Sequence, residues 1–398
     1  MGAHLLEIPH VNTGDLGVVG VRPGNPSDAA PPRISRTCRC ECGRPLFFQN
    51  SVCLSCGAQV GYEPELGRLT LLAAGPAPDL WLIPHGSGSR PKSYRRCGNL
   101  NSPAGCNWVF PAEESQAENT FCISCGLNRT IPDLSIAENG EYWRRIELAK
   151  RRLISSLVAF GLPVASRVSE DQECGLAFDL LRAPGNGTRV LTGHCEGIIT
   201  LNIEEADDST REKVREQMHE PYRTLLGHLR HETGHYYWDR LVDRSDWLSG
   251  FREVFGDETQ DYQVALARHY QQGPPPDWTQ HYVSAYASVH PWEDWAETWA
   301  HYLHMADTLG TALSFRLDMD SLELPFEGFE SDSLRLPTEP NGAAFLQLLN
   351  FWGRATVVLN ELSRSMGLAD FYPFVLSRDA VAKLHFVHTL IESAAQPA

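Results

Sequence analysis

Residues 227–241, GHLRHETGHYYWDRL, carry the pattern around which this chain has to fold. His231 and His235 stand four apart, so on a helix their imidazoles share one face and can hold one zinc ion. Glu232, beside the first, is placed to act as base toward a water at that ion. The flanking residues read as a helix from 222 to 241. Pro221 suits a first helical position, where a missing N–H costs nothing, and no proline follows up to Leu241. Leu225, Leu226, Leu229 and Tyr236 recur at spacings of three to four and face a core, with His228, Arg230 and Asp239 elsewhere on the cylinder. Gly234 in mid-helix costs about 1 kcal/mol against alanine. That cost points to another segment packed close against the helix.

A third donor lies in residues 290–309, HPWEDWAETWAHYLHMADTL. Pro291 opens a second helix, with Trp292, Trp295, Trp299 and Leu303 as its apolar stripe. Glu293 and Glu297 stand at i and i+4 on a different face, with His301 and His304 further along. Like charges at that spacing repel in an isolated helix. The pair makes sense with a cation, or an imidazole bound to one, between them. Glu293 is then the third zinc ligand, and Glu297 an acceptor that orients a ligand histidine from behind. Asp294 is the alternative ligand. The bland alternative to both patterns is a surface helix with incidental histidines beside a solvated acidic face.

No glycine and third histidine follow His235 at the spacing of a metzincin. A downstream glutamate on a separate helix is the gluzincin arrangement. The spacing from Tyr286 to Glu293 resembles that in the catalytic domain of anthrax lethal factor, where a tyrosine precedes a glutamate ligand in an E-x-x-A-E context. Here that context is Glu293-Asp294-Trp295-Ala296-Glu297. The resemblance implies Tyr286 as donor to a developing oxyanion, with Tyr282 as the alternative and a core tyrosine as the plainer reading of either.

Nine of the eleven cysteines precede residue 126. Two pairs separated by ten to twenty residues read as a zinc ribbon. Cys40, Cys42, Cys53 and Cys56 are assigned to one zinc, and Cys97, Cys106, Cys122 and Cys125 to another. Cys38 is the spare, and the choice between Cys38 and Cys40 stays open. Gly43, Gly57 and Gly126 follow the knuckles and permit tight turns. A disulfide framework is the alternative, disfavoured because no secretory signal is visible: His4 and Glu7 interrupt the start and no apolar segment follows. Cys174 and Cys195 are isolated and read as buried apolar residues.

Net charge is −16, unevenly placed. Residues 1–135 carry 11 basic and 11 acidic residues, leaving 23 of the 34 basic and 39 of the 50 acidic ones to the remainder. No basic face for phosphate is evident, which argues against nucleic acid as the main partner. No apolar run approaches the ~18 residues that span a bilayer. A cytoplasmic protein is expected. The organisation expected is an irregular segment at 1–36, a double zinc-ribbon domain at 37–135 built of short strands and turns, and a catalytic domain at 136–398. The last holds a helix at 139–160 and strands at 176–203, including the candidate edge strand GIITLNI (197–203) that would pair with an extended peptide. It continues with a helix starting in a capping box at Ser209, the two metal helices, an acidic loop at 319–341, and helices at 343–365 and 378–393. The fold class is α+β: a small zinc-ribbon domain, then a mostly helical gluzincin-like metallopeptidase domain with a small antiparallel sheet. His194, just before the edge strand, reads as a turn histidine within reach of the site.

The whole chain resembles the bacterial zinc-binding metallopeptidases that carry an N-terminal zinc-ribbon domain. The resemblance runs from Cys38 to Ile391. It rests on the cysteine knuckles and on TGHCEGIITLNIEEAD, EPYRTLLGHLRHETGHYYWDRLV, FGDETQDYQVAL, SAYASVHPWEDWAETWAHYLH and GLADFYPFVL. It implies a single-zinc hydrolase carrying His231, Glu232 and His235, with its acidic ligand from the EDWAE helix, and it implies no particular substrate. One departure is CRCECG, which offers three cysteines for two ligand places. The function expected is a peptidase that hydrolyses peptide bonds with a zinc-activated water and Glu232 as general base. It takes one catalytic and up to two structural zinc ions and a peptide or protein substrate, and the ribbons offer a place for a protein partner. The alternatives are an amidase or isopeptidase maturing one partner, and a binding module with secondary or no catalysis.

Overall fold

The computed structural model describes residues 36–83, 92–112, 120–184, 190–217, 220–317, 322, 324, 326–334 and 341–395. The segment expected to be irregular, apart from Arg36, lies outside them, as do most of the HGSGSRPKS loop, most of the PGNG turn and parts of the acidic loop. Residues 31–398 cluster into one compact unit.

The cysteine-rich part is made of short antiparallel pieces. Strands β1 (Thr37–Arg39) and β2 (Pro45–Phe47) form one pair, and β3 (Val60–Glu63) and β4 (Arg68–Leu71) another. Strands β5 (Ala73–Ala74), β6 (Trp81–Leu82), β7 (Ser93–Arg96) and β8 (Val109–Pro111) form a four-stranded sheet in that order. Gly43 and Gly57 turn the first two knuckles at φ +87° and +77°, a region glycine enters without the Cβ penalty. Gly126 differs from expectation. It lies in a 3₁₀ turn at Cys125–Leu127 with no positive φ.

Strands β9 (Asn128–Thr130), β10 (Ala177–Leu181), β11 (Gly193–Cys195) and β12 (Ile198–Asn202) form the second sheet, ordered β11-β12-β10-β9. Only β11–β12 is antiparallel; β10 runs parallel to both β12 and β9. The small sheet is therefore mixed where an antiparallel one was expected. Helix α1 (Ala137–Ala159) is the reason: a parallel pair needs a long crossover, and α1 supplies it between β9 and β10. The edge assignment changes with this order. GIITLNI contains β12, which is interior, and the strand at the edge beside α3 is β11.

Helices follow: α2 (Asp208–Gln217), α3 (Leu225–Leu241), α4 (Trp247–Phe255), α5 (Tyr262–Gln272), α6 (Trp278–His281), α7 (Pro291–Ser314), α8 (Gly342–Ser365) and α9 (Arg378–Ala395). The sequence reading had no place for α4 to α6. Two helix starts also shift. The cap of α2 is Asp207, which accepts from Thr210 N at 2.8 Å, not Ser209. Helix α3 starts after Thr224, whose hydroxyl accepts from Gly227 N at 3.0 Å, so Pro221 stands outside it.

Helix α7 is the axis of the domain. Trp295, Trp299 and Leu303 are fully buried as expected, but so are Asp294, Ala296 and Thr298 on other faces. A helix buried all round is a core element, not a surface amphipath. It crosses α3 where Gly234 meets Ala296: a Cβ built on Gly234 lies 2.9 Å from Ala296 Cα. The Trp295 indole donates to the Gly234 carbonyl at 2.7 Å, pinning the crossing. Arg230, expected on a polar face, is buried because Asp307 of α7 accepts from it at 2.7 Å. One continuous apolar core runs from Leu46, Tyr62 and Trp108 through Trp143 and Phe178 to Tyr237 and Trp299.

Candidate active site

The α3–α7 crossing brings three donor atoms to one point. His231 Nε2 lies 3.2 Å from His235 Nε2 and 3.0 Å from Glu293 Oε2, and His235 Nε2 lies 3.6 Å from that oxygen. All three residues are buried. His231 Nδ1 donates to Glu297 Oε1 at 2.7 Å, and Glu297 Oε2 accepts from Ser284 at 2.6 Å. With its proton spent on Glu297, neutral His231 turns a lone pair toward the Glu293 carboxylate. Lone pairs in such contact repel unless a cation or an extra proton lies among them. Burial disfavours a charged His231, yet the Glu293 and Glu297 carboxylates outweigh burial and hold its pKa well above the usual value. The pocket thus asks for positive charge. Glu293 Oε2 and His235 Nδ1 are buried without hydrogen-bond partners. Two imidazoles and one carboxylate, at separations that fit ligands about 2 Å from a common centre, are a donor set zinc accepts.

Glu232 is buried beside these ligands on α3, 5 % exposed. Tyr286, in a 3₁₀ turn before α7, has its ring 6.0 Å from that of His231. Burial, with the nearby Glu293 carboxylate, pushes its phenol well above the ordinary value, so it keeps its proton across the neutral range. Tyr282 is elsewhere: its ring lies 4.2 Å from Lys383 Nζ. Asp294 is elsewhere too, 2.6 Å from the same ammonium on α9. It is fully buried, and burial raises it to about 7 against the pull of Lys383. The helix is phased so that Glu293, not Asp294, meets the histidines.

His194 makes the turn bond expected of it, accepting from Gly197 N at 3.0 Å. It also stacks toward the site, 6.4 Å from the His235 ring. Three participants escaped the sequence reading. Trp292, counted in the apolar stripe, lies over His235 with ring centroids 3.8 Å apart. Ser284 backs Glu297. Tyr262 donates to Glu293 Oε1 at 2.7 Å. No periodicity signals a phenol 31 residues from its acceptor; only the position of α5 does.

The cysteines gather as two sets, Cys40, Cys42, Cys53 and Cys56, and Cys97, Cys106, Cys122 and Cys125, with the sulfurs of each set within 4.8 Å of one another. Cys38 belongs to neither. All eleven cysteines are free. Sulfurs 3.5 Å apart (Cys40–Cys56) and 3.6 Å apart (Cys106–Cys122) are too distant for an S–S bond of about 2.05 Å and suit thiolates sharing an ion. Cys174 and Cys195 are exposed, not buried, since one lies in a turn and the other ends the edge strand.

Two four-cysteine clusters and a buried His-His-Glu donor set are three groups whose chemistry suits zinc. Residues 139–390 match the family described as "Putative zinc-binding metallo-peptidase", and residues 37–136 match a zinc-ribbon domain. The chain belongs to that family. It is 42% identical over 356 residues to uncharacterized proteins of Mycobacterium bovis and of two Mycobacterium tuberculosis strains, covering 89% of this chain and 94% of theirs. No solved structure matches it. Among the described residues no helix is long and apolar enough to cross a membrane.

Proposed function

We propose that this protein is a zinc-dependent peptidase whose metal is held by His231, His235 and Glu293. The observation that carries the reading is the meeting of His231 Nε2, His235 Nε2 and Glu293 Oε2 within 3.0 to 3.6 Å, with no other partner for that oxygen. When bound, zinc supplies a Lewis acid that acidifies water and polarises a carbonyl.

The chain's own groups do the rest. Glu297 holds the His231 ring in one tautomer, and Ser284 holds Glu297. Trp292 covers His235 and excludes water from that side. Glu232 takes a proton from the attacking water at its carboxylate and passes it to the nitrogen of the leaving amine as the C–N bond breaks. Tyr286, protonated at neutral pH, donates to the carbonyl oxygen as it gains charge, a contact worth roughly 3 kcal/mol. The ribbon clusters bind one structural zinc each, for three ions per chain, and select or steady a protein partner without taking part in chemistry. Free clustered thiols support a reducing compartment, the cytoplasm.

The test compares variants of the full chain against a peptide library, with zinc counted by elemental analysis. Glu232→Gln should keep three zincs and lose turnover at least ~100-fold, within the range general-base removal produces. Glu293→Ala should lose one zinc and Asp294→Ala none. Loss of zinc at 294 and its retention at 293 would sink the ligand set.

A further inference from the structure

We infer that Tyr262 is a positioning residue for this site: by donating to Glu293 Oε1 at 2.7 Å, it reserves that oxygen and leaves Oε2 alone for the ion. The inference rests on the zinc reading above and adds to it how the acidic ligand is presented. A carboxylate can offer an ion one oxygen or two, and the choice decides whether a coordination position stays open for water. In Glu293 the two oxygens are treated differently. Oε2 faces both histidines and has no hydrogen bond, while Oε1 is taken by the phenol.

The phenol is itself held from several sides. Tyr262 opens α5, whose start is capped by Asp261 accepting from Val264 N at 3.0 Å. His290 joins the start of α5 to the start of α7: its Nε2 donates to the Gln260 carbonyl at 3.1 Å, and its Nδ1 accepts from Trp292 N at 3.1 Å. Gln260 is two residues before Tyr262 and Trp292 one residue before Glu293. A single imidazole therefore sets the register between hydrogen-bond donor and acceptor. The Tyr262 ring meets His290 edge-on at 5.5 Å and Trp292 at 6.2 Å, and Trp292 in turn covers His235. This gives a role to FGDETQDYQVAL (255–266), which contributes none of the three ligands. It also separates two neighbouring tyrosines. Tyr262 holds the ligand, and Tyr286, in hydrogen-bond contact with the Tyr262 phenol, is left for the role proposed above.

The experiment uses the full chain and reads zinc affinity at the histidine site by competition with a chromophoric chelator, beside turnover and the unfolding midpoint of protein stripped of the histidine-site zinc alone. Tyr262→Phe should weaken that zinc about 10- to 100-fold, the usual effect of losing a group that orients a ligand, with the midpoint of stripped protein unchanged. Tyr286→Phe should keep the wild-type affinity and lose turnover. Glu293→Ala is the control. If it empties the site while Tyr262→Phe binds as the wild type does, the role of Tyr262 is refuted and the zinc site stands. If Glu293→Ala leaves the affinity of that zinc unchanged, the zinc reading itself has failed.

Discussion

The two four-cysteine clusters share a ligand pattern and differ in their surroundings. In the first, Cys40 and Cys53 are buried but Cys42 and Cys56 are exposed, and Leu54 at the knuckle tip is 91% exposed. In the second, all four cysteines are buried. Its wall is α1, where the Glu147 carboxylate accepts from Lys150 at 2.7 Å, Asn128 at 2.8 Å and Trp143 at 3.2 Å, and lies 4.0 Å from Cys125 Sγ. A cysteine pattern states what can bind. The packing around it decides whether the bound ion holds a surface knuckle or the core of the protein.

The largest expected effect sets one cluster against the other. Cys122→Ser removes a ligand inside the shared core. It should cost most of the stability of a domain that has only ~5–15 kcal/mol to lose, seen as loss of a cooperative thermal transition. Cys56→Ser should leave that transition in place and raise hydrogen exchange only around residues 38–58. Equal losses from the two variants would end the distinction.

Asp307 sharpens it next, because it fastens the chain entering the first cluster to α1, α3 and α7. Its carboxylate accepts from Arg36 at 2.8 Å, Arg152 at 2.7 Å and Arg230 at 2.7 Å. Burial opposes its charge, but Arg36, Arg230 and Arg152 outweigh burial and hold its pKa well below the carboxylate range. A folded pKa below the unfolded one gives stability that is full above about pH 4 and fades as pH falls through the folded value. Asp307→Asn should cost about 3–5 kcal/mol at pH 7, as breaking a buried ion pair does. Its stability should also fall less steeply below pH 4 than that of the wild type. A variant with the same acid limb would show that Asp307 is not the titrating group. If the first cluster is peripheral, Arg36→Met should cost less, since two arginines still face the carboxylate.

The smallest effect tests the shared core away from both clusters. Gly234→Ala places a methyl 2.9 Å from Ala296 Cα, a backbone atom with nowhere to turn. Overpacking of this kind costs about 1–3 kcal/mol. That loss should add to the effect of Cys56→Ser, since distant sites are independent. Strong coupling in denaturation midpoints would mean that the exposed cluster is part of the core after all.

Much of the site was legible where its chemistry is local in sequence. The four-residue spacing of His231 and His235, and of Glu293 and Glu297, follows from the pitch of a helix, and Gly234 announced a close crossing. The pairing of two like charges on one helix face marks α7 in the sequence alone. Less legible was everything set by distance along the chain. Thr224 and Asp207 cap their helices where Pro221 and Ser209 looked better, because the cap depends on where a side chain can reach. The sheet order put β11 at the edge in place of β12. The helices α4 to α6 are short, at nine, eleven and four residues, and the sequence reading placed none of them, yet α5 delivers Tyr262.

Sequence alone determined which atoms could serve as ligands: two imidazoles, a downstream carboxylate and nine thiols, because ligand chemistry resides in residue type and short-range spacing; the fold left Cys38 out. Tertiary structure alone decided which of two adjacent carboxylates turns to the histidines. Glu293 and Asp294 are neighbours on α7, about 100° apart around a helix of 3.6 residues per turn. What chose between them was α3 on one side and Lys383 of α9 on the other. Those helices are far apart in sequence and meet only when the core that buries Trp295 and Trp299 has closed. The same closure decided that one cysteine cluster lies inside the protein and the other on its surface.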